Sequence, residues 1–403
     1  MKVLVADRFE DAGLSQLRAS GVEVDYQPGL DGEGLADAVA AADPDVLVVR
    51  GTKVAAPVFA AGRGLKLVVR AGAGYDTIDV KAASAEGIYV SNCPGKNAIA
   101  VAELTWGLIL ACDRRIPDQS AALRAGRWNK KEYSAARGLF GATLGVLGSG
   151  PIAVAVIERA RGFGMPVVVW SRSLDDARAH ELGVERAGSP LELAARADVV
   201  TVHLAATPDT RGIVGRDFIE AMKPDAILVN TSRGSLVDEE ALRRGIEEKG
   251  LRAGLDVFAD EPAAPSAKYE GALSRHTGVV GTHHVGASTD QAQIAIAMEA
   301  VRIIDHFRAT GAALHCVNRV VKSPATCLLT VRHRNRPGVL ANVFRVLSEA
   351  GINVEEMENV IYDGALAASA RIQLDTQPSA EHLEQIRASC EEILSVDLTS
   401  IAA

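Results

Sequence analysis

Basic clusters, paired cysteines and long apolar runs are all missing from this 403-residue sequence. Lys and Arg number 43 against 51 Asp and Glu, a net charge of −8. That balance argues against a nucleic-acid partner, because phosphate-backbone binding needs a concentrated basic surface. A local basic pocket for a small anion stays open. The five cysteines, Cys93, Cys112, Cys316, Cys327 and Cys390, are odd in number and never spaced C-x-x-C. Neither a disulfide framework nor a zinc site is indicated, and a reducing, cytoplasmic setting is the expectation. No apolar run reaches the roughly 20 residues that cross a bilayer, so no membrane partner is expected. The opening MKVLVADRF reads as a first strand rather than a signal peptide.

What is present is an alternation of short apolar runs and helical patterns. The runs include Val3–Ala6, Val46–Val49, Leu67–Val69, Leu144–Leu147, Val167–Trp170, Val199–Leu204, Ile227–Val229 and Gly254–Val257. Runs this short and this apolar, separated by helices, predict parallel strands covered on both faces, a doubly wound α/β architecture. One βα series occupies residues 1–98. A helix starts near Ala98, and a second series begins at Leu144 within residues 99–287. Ser189-Pro190-Leu191-Glu192 predicts a capping box at a helix start.

A long helix over Asp290–Thr310 is assigned, with residues 288–320, to completing the first half. A break follows at Lys322-Ser323-Pro324. Residues 325–403 read βαββαβ: strand CLLTVRH, helix PGVLANVFRVLSEA stopped by Gly351, strands around Asn353–Tyr362 and Ala367–Leu374, a helix over Ser379–Leu394, and a final VDLTSI.

The segment LGVLGSGPIAVAVIERARGFG sets Gly148-x-Gly150-x-x-Ala153 between a strand and a helix. Gly148 permits a tight turn, Gly150 lets backbone approach a pyrophosphate, and Ala153 lets the helix pack close to the strand. The helix N-terminus offers unpaired N–H groups to phosphates. At the end of the next strand, where an acid commonly binds the ribose 2′-hydroxyl of NAD, stand Ser171 and Arg172. Arg172 suits a 2′-phosphate, so NAD and NADP both remain open.

Three residues follow strand ends in the second half: Arg233 after AILVNTS, Glu261 after AGLDVFAD and His284 after VVGTH. Oxidation of a 2-hydroxy acid needs these types. A base takes the hydroxyl proton, a cation holds the carboxylate, and an acid beside the base orients the imidazole and raises its pKa.

Residues 60–290 resemble the D-2-hydroxyacid dehydrogenase family through VVRAGAGYDTIDV, NCPGKNAIAVAE, TLGVLGSGPIA, VHLAATPDTRGIV, LVNTSRGSLVDEEAL, GLDVFADEP and THHVGAST. The resemblance implies that Arg233 clamps substrate, Glu261 completes a dyad and His284 is the acid/base. It implies cofactor contacts at Gly148, Gly150, Pro151, Ile152, Ser171, Arg172, His203, Thr231 and Asp256, the last toward the nicotinamide carboxamide. Backbone amides of Ala71–Gly74 are expected at the substrate carboxylate, with Ala73 and Gly74 among the substrate contacts. Four positions depart from the family pattern: His283, Pro151, Ala100 and Ser171.

Arg50, Lys53, Arg70, Lys96 and Asn97 resemble sites that hold a substrate phosphate in members acting on phosphoglycerate, with Arg50, Arg70 and Asn97 the chosen contacts. The leading implied activity is oxidation of D-3-phosphoglycerate to 3-phosphohydroxypyruvate, the entry to serine synthesis. Glyoxylate or hydroxypyruvate reduction is the nearer alternative, and a non-catalytic nucleotide-sensing co-regulator the further one. The tail resembles an ACT domain, which implies an L-serine effector held by His333, Asn335 and Asn353 across paired domains, and a homo-oligomer, dimer or tetramer.

Overall fold

Every residue of the strand Val46–Val49 is buried, because alternate side chains face two different helical layers. Leu47 and Val49 cluster with Leu35 and Val39 of helix Gly32–Ala42 and Val58 of helix Ala56–Ala61. Val46 and Val48 cluster with Leu17 of helix Asp11–Ala19 and with Ile296 and Ile304 of helix Asp290–Thr310. The structure, a computed structural model, describes residues 1–262, 266–320 and 323–401. Lys322 of the expected break lies outside them.

Two compact units divide the chain, Met1–Asn318 and Arg319–Ala403. The first holds two parallel sheets. One runs Glu23–Tyr26, Lys2–Val5, Val46–Val49, Leu67–Arg70, Tyr89–Asn92. The other has seven strands, Val279–Gly281, Arg252–Leu255, Ile227–Asn230, Val199–Val202, Leu144–Leu147, Val167–Trp170, Glu185–Arg186. Strand order reverses at Leu144–Leu147, and the crevice beyond the carboxyl ends at such a reversal is where these sheets bind ligands. Glu23–Tyr26 is a partly exposed edge strand and Glu185–Arg186 an exposed one, both too polar to stand out as apolar runs.

Ser189 caps its helix by accepting the Glu192 amide. The other half of the expected capping box does not form. Glu192 instead accepts the Gly188 amide at 2.8 Å and pairs with Arg196 one turn on.

The second unit is a four-stranded antiparallel sheet ordered Val354–Ile361, Ala367–Leu374, Cys327–Arg334, Ile393–Ser400, with helices Val339–Glu349 and Ala380–Ala388. Its core joins Leu329, Val331, Ala370 and Ile372 to Val343, Leu347 and Ile386. The last helix stops at Ala388, short of the expected Leu394, because residues from Ile393 onward pair along the whole of Cys327–His333. Among the described residues no helix is long and apolar enough to cross a membrane.

Candidate active site

At the reversal point the chain turns tightly after Leu147. Gly148 sits at φ +112°, and a Cβ there would lie 2.4 Å from the His203 carbonyl oxygen. Glycine is therefore demanded by the fold itself. Gly150 differs, since a Cβ on it would meet nothing within 4 Å. Its smallness serves open space beside the N-terminus of helix Pro151–Gly162, where no side chain caps the first turn. Unspent amides and a missing Cβ form a cradle that fits a dinucleotide pyrophosphate. A cleft of about 420 Å³ opens there, lined by Gly95, Ala98, Ser149, Gly150, Pro151 and Arg178. Ser149 Oγ donates to Ser171 Oγ at 3.0 Å. Arg172 pairs with Asp209 at 2.9 Å, both largely exposed, a contact that holds little. Thr231 is buried with its hydroxyl 3.0 Å from that of Thr105. His203 is buried too: Nε2 meets Thr201 at 2.9 Å, Nδ1 has no partner among the described residues, and burial pushes its pKa down to about 3. A separate cavity of about 200 Å³ lies near the amino ends of Val199–Val202 and Ile227–Asn230, away from this crevice.

Three further strand ends meet across the same crevice. Gly234, next to Arg233, packs so tightly on the following turn that a Cβ would lie 2.1 Å from the Phe258 carbonyl. That contact draws the Arg233 turn against the Phe258–Glu261 turn. Glu261 Oε1 accepts the Phe258 amide at 2.9 Å, and Oε2 lies 2.6 Å from His284 Nδ1. A carboxylate can only accept, so the imidazole proton resides on Nδ1 and leaves Nε2 outward. The Glu261 hydrogen bond raises the His284 pKa against partial burial. Burial pushes the Glu261 carboxyl up, yet His284 and the Phe258 amide together hold it below its ordinary value.

His284 stands at φ +53°, unusual for a side-chain-bearing residue, and its amide donates to the Asp256 carbonyl at 2.8 Å. Asp256 was expected against the cofactor. It is 1% exposed and accepts from Thr282 Oγ1 at 2.6 Å, the Val285 amide at 2.9 Å and the Gly286 amide at 2.9 Å. Its visible work is to shape the loop that carries His284.

Arg233 Nη2 donates to Asp76 Oδ1 at 2.8 Å, and Nη1 to the Ser232 carbonyl at 2.7 Å. Asp76 lies in the loop after Leu67–Arg70, so this pair bridges the two halves. Of the four expected amides, Ala71 and Gly72 are spent on the carbonyls of Val49 and Arg70. Ala73 and Gly74 donate to no backbone carbonyl among the described residues.

Arg70 is partly buried, and its buried Nε has no partner among the described residues. Burial first, then the charge of Arg233, pushes its pKa down to about 10. Burial lowers Arg50 as well, despite Asp7 nearby. Asn97 Oδ1 is likewise buried without a partner among the described residues. Lys53 is exposed. Lys96 instead joins a structural network. Its Nζ lies 3.2 Å from Glu299, which is 4% exposed and also holds His315 at 2.9 Å and Arg302 at 2.5 Å.

In the second unit His333 is buried, with Nδ1 donating to the Arg334 carbonyl at 2.8 Å and Nε2 3.3 Å from Asn359. Asn335 donates to the Ala365 carbonyl at 3.1 Å. Asn353 donates to Glu355 at 2.8 Å. Register puts Val354 level with Leu374 and Cys327, six residues along the strand from His333. Asn353 is thus roughly 20 Å from His333 at about 3.3 Å per residue, and one copy does not bring them together.

Sequence reading missed Asp76, Gly234 and Glu299. Asp76 stands inside the quoted VVRAGAGYDTIDV stretch, but its partner is 157 residues away.

A glycine turn that fits a dinucleotide, a carboxylate-paired imidazole and a guanidinium thus stand at the strand ends of one unit. Residues 106–286 match the family model described as D-isomer specific 2-hydroxyacid dehydrogenase, NAD binding domain, and residues 328–358 match the ACT domain. The chain belongs to the D-isomer specific 2-hydroxyacid dehydrogenases. It is 43% identical over 295 residues to D-3-phosphoglycerate dehydrogenase of Methanocaldococcus jannaschii, covering 73% of this chain and 55% of that one. It is 42% identical over 262 residues to hydroxypyruvate reductase of Thermotoga maritima, covering 64% of this chain and 83% of that one. NAD⁺-bound 3-phosphoglycerate dehydrogenase of Entamoeba histolytica superposes with a TM-score of 0.66 at 28% identity, over 80% of this chain and 99% of that one. The chain spans about half the length of the curated phosphoglycerate dehydrogenases it matches.

Proposed function

We propose that this chain oxidises the 2-hydroxyl of D-3-phosphoglycerate to the ketone of 3-phosphohydroxypyruvate, the first step toward L-serine, with NAD or NADP. One observation carries the reading: an acid-supported imidazole and a guanidinium stand at one crevice, beside a second, partly buried guanidinium whose buried Nε has no partner among the described residues. An unpaired buried cation is costly unless an anion arrives, and a phosphate is such an anion.

A nicotinamide dinucleotide, held by the amides and small side chains at Gly148–Ile152, supplies the hydride acceptor. The chain's own residues do the rest. Arg233 fixes the carboxylate, with the free amides of Ala73 and Gly74. Arg50, Arg70 and Asn97 face the phosphate end. His284 Nε2 takes the hydroxyl proton during oxidation and returns it during reduction, while Glu261 stabilises the imidazolium that forms. The tight loop set by Asp256 keeps that imidazole from turning.

Reduction of glyoxylate or hydroxypyruvate is the second reading. Ser171, which leaves the ribose position without an acid, favours it. Steady-state kinetics with 3-phosphoglycerate, glyoxylate and hydroxypyruvate, each with both dinucleotides, decides between them. A kcat/KM for phosphoglycerate below that for glyoxylate would end the first reading. A co-regulator would keep its activity in His284→Ala, whereas an enzyme loses about 10²–10⁴-fold in rate.

We further propose that the chain works in the cytoplasm, in keeping with its free cysteines, and as a homodimer or tetramer. L-Serine is then the effector, with His333 and Asn335 from one copy and Asn353 from another. The distance between those residues within one copy supports a shared site.

A further inference from the structure

We infer that Asp76 is a positioning residue for Arg233, holding the guanidinium so that its remaining donors face the incoming carboxylate; this rests on the clamp reading above. A guanidinium has five N–H groups. Asp76 takes the Nε–H, at 3.2 and 3.3 Å to its two oxygens, and one Nη2–H at 2.8 Å. The Ser232 carbonyl takes one Nη1–H at 2.7 Å. One N–H is left on each Nη nitrogen, a pair that a planar carboxylate can bridge.

Close packing on Gly74 fixes where the pair sits. A Cβ there would lie 1.9 Å from Arg233 Nη2 and 3.0 Å from Asp76 Oδ1. The ion pair therefore lies directly over a glycine whose amide donates to no backbone carbonyl among the described residues.

Charge fits the same role. Arg70 and Arg233 repel each other, and Asp76 attracts both. Burial pushes the Asp76 carboxyl up, but the hydrogen bonds and charge of Arg233 outweigh it and hold the group below its ordinary value. Asp76 thus stays anionic and pins one side of the clamp. A carboxylate meant only to compete with substrate would instead cover the donors that are left open.

The test compares wild type, Asp76→Ala and Asp76→Asn in the full chain. Calorimetric titration with oxalate, a non-reacting dicarboxylate, is run at saturating dinucleotide, alongside kcat, KM and dinucleotide binding. Oxalate affinity is expected to fall at least about tenfold in Asp76→Ala. KM for the hydroxy acid should rise in parallel, and kcat/KM should drop by about 10²-fold, as for a misplaced orienting group. Dinucleotide affinity should stay within about twofold, which also reports folding. Asp76→Asn keeps an acceptor for Nη2 and should fall between, and it decides the matter if the alanine variant does not fold. Oxalate binding in the variants as tight as in wild type, or tighter, overturns the inference while leaving the clamp intact. A wild-type chain that neither binds oxalate nor turns over any 2-hydroxy acid overturns the clamp reading itself.

Discussion

Glu261 grips two partners at once: Oε2 stands 2.6 Å from His284 Nδ1 while Oε1 receives the Phe258 amide at 2.9 Å. The pKa of His284 is raised, first by that hydrogen bond. Oxidation needs the neutral imidazole, so its rate grows as pH climbs through the raised value. Reduction needs the protonated ring and fades over the same interval. In Glu261→Gln the limb should move down in pH, in both directions of reaction, and kcat should fall. Profiles of kcat/KM against pH measure this, and an unmoved limb would detach Glu261 from the proton transfer.

On the clamp proposed above, Arg233→Ala removes two charge-assisted contacts to substrate. At about 1.5–3 kcal/mol each, kcat/KM should drop by roughly 10²–10⁴-fold. Arg233→Lys should recover little, because a point charge cannot satisfy Asp76 and a carboxylate in one plane. Full rescue by lysine would reduce the clamp to simple charge.

Two glycines should separate folding from binding. Gly234→Ala drives a methyl into the Phe258 carbonyl, 2.1 Å away, and should cost about 1–3 kcal/mol in stability along with turnover. Gly150→Ala meets nothing within 4 Å and should leave Tm unchanged while dinucleotide affinity weakens. Thermal unfolding and a dinucleotide titration read the two effects, and an unaltered affinity in Gly150→Ala would remove the cradle.

Glu299 makes a prediction about acid. Its bond to Arg302, aided by Lys96 and opposed by burial, brings its pKa to about 2 from an ordinary 4.5. A carboxyl depressed in the folded chain stabilises above the ordinary value and loses that contribution as pH falls toward the folded one, at most about 3 kcal/mol. The loss should fall between pH 4.5 and 2. Acid unfolding followed by circular dichroism should show this slope in wild type and a flatter one in Glu299→Gln; identical curves would deny the network its role.

On the proposed effector site, Asn353→Ala should abolish any inhibition by L-serine with kcat unchanged. Inhibition curves at fixed substrate are the measurement, and undiminished inhibition would put the effector elsewhere.

The strands buried on both faces and the Gly148–Gly150 turn were legible because their causes are local: apolar runs, turn geometry and a helix start. Arg233, Glu261 and His284 were legible as types at strand ends. What escaped was set by distance along the chain. Asp76 acquires meaning only when a residue from the other half arrives, and Gly234 only when Phe258 packs on it. The resemblance offers Asp256 to the nicotinamide carboxamide; its hold on Thr282 and the Gly286 amide was a further role with no local signal. The end of the last helix escaped because a pairing strand, and no helix-stop residue, takes over the chain at Ile393.

Helix Asp290–Thr310 begins just past the loop of His284 and lays Ile296, Ala300 and Ile304 beneath the first sheet, with Glu299 gripping Lys96 on the way. At about 1.5 Å per residue it is a rod of roughly 31 Å, so a tilt of about 5° at one end swings the other by nearly 3 Å. The proton-handling side of the crevice and the anion-holding side are therefore mounted on one shaft. A change in the tilt of that shaft would alter the spacing of both walls at once.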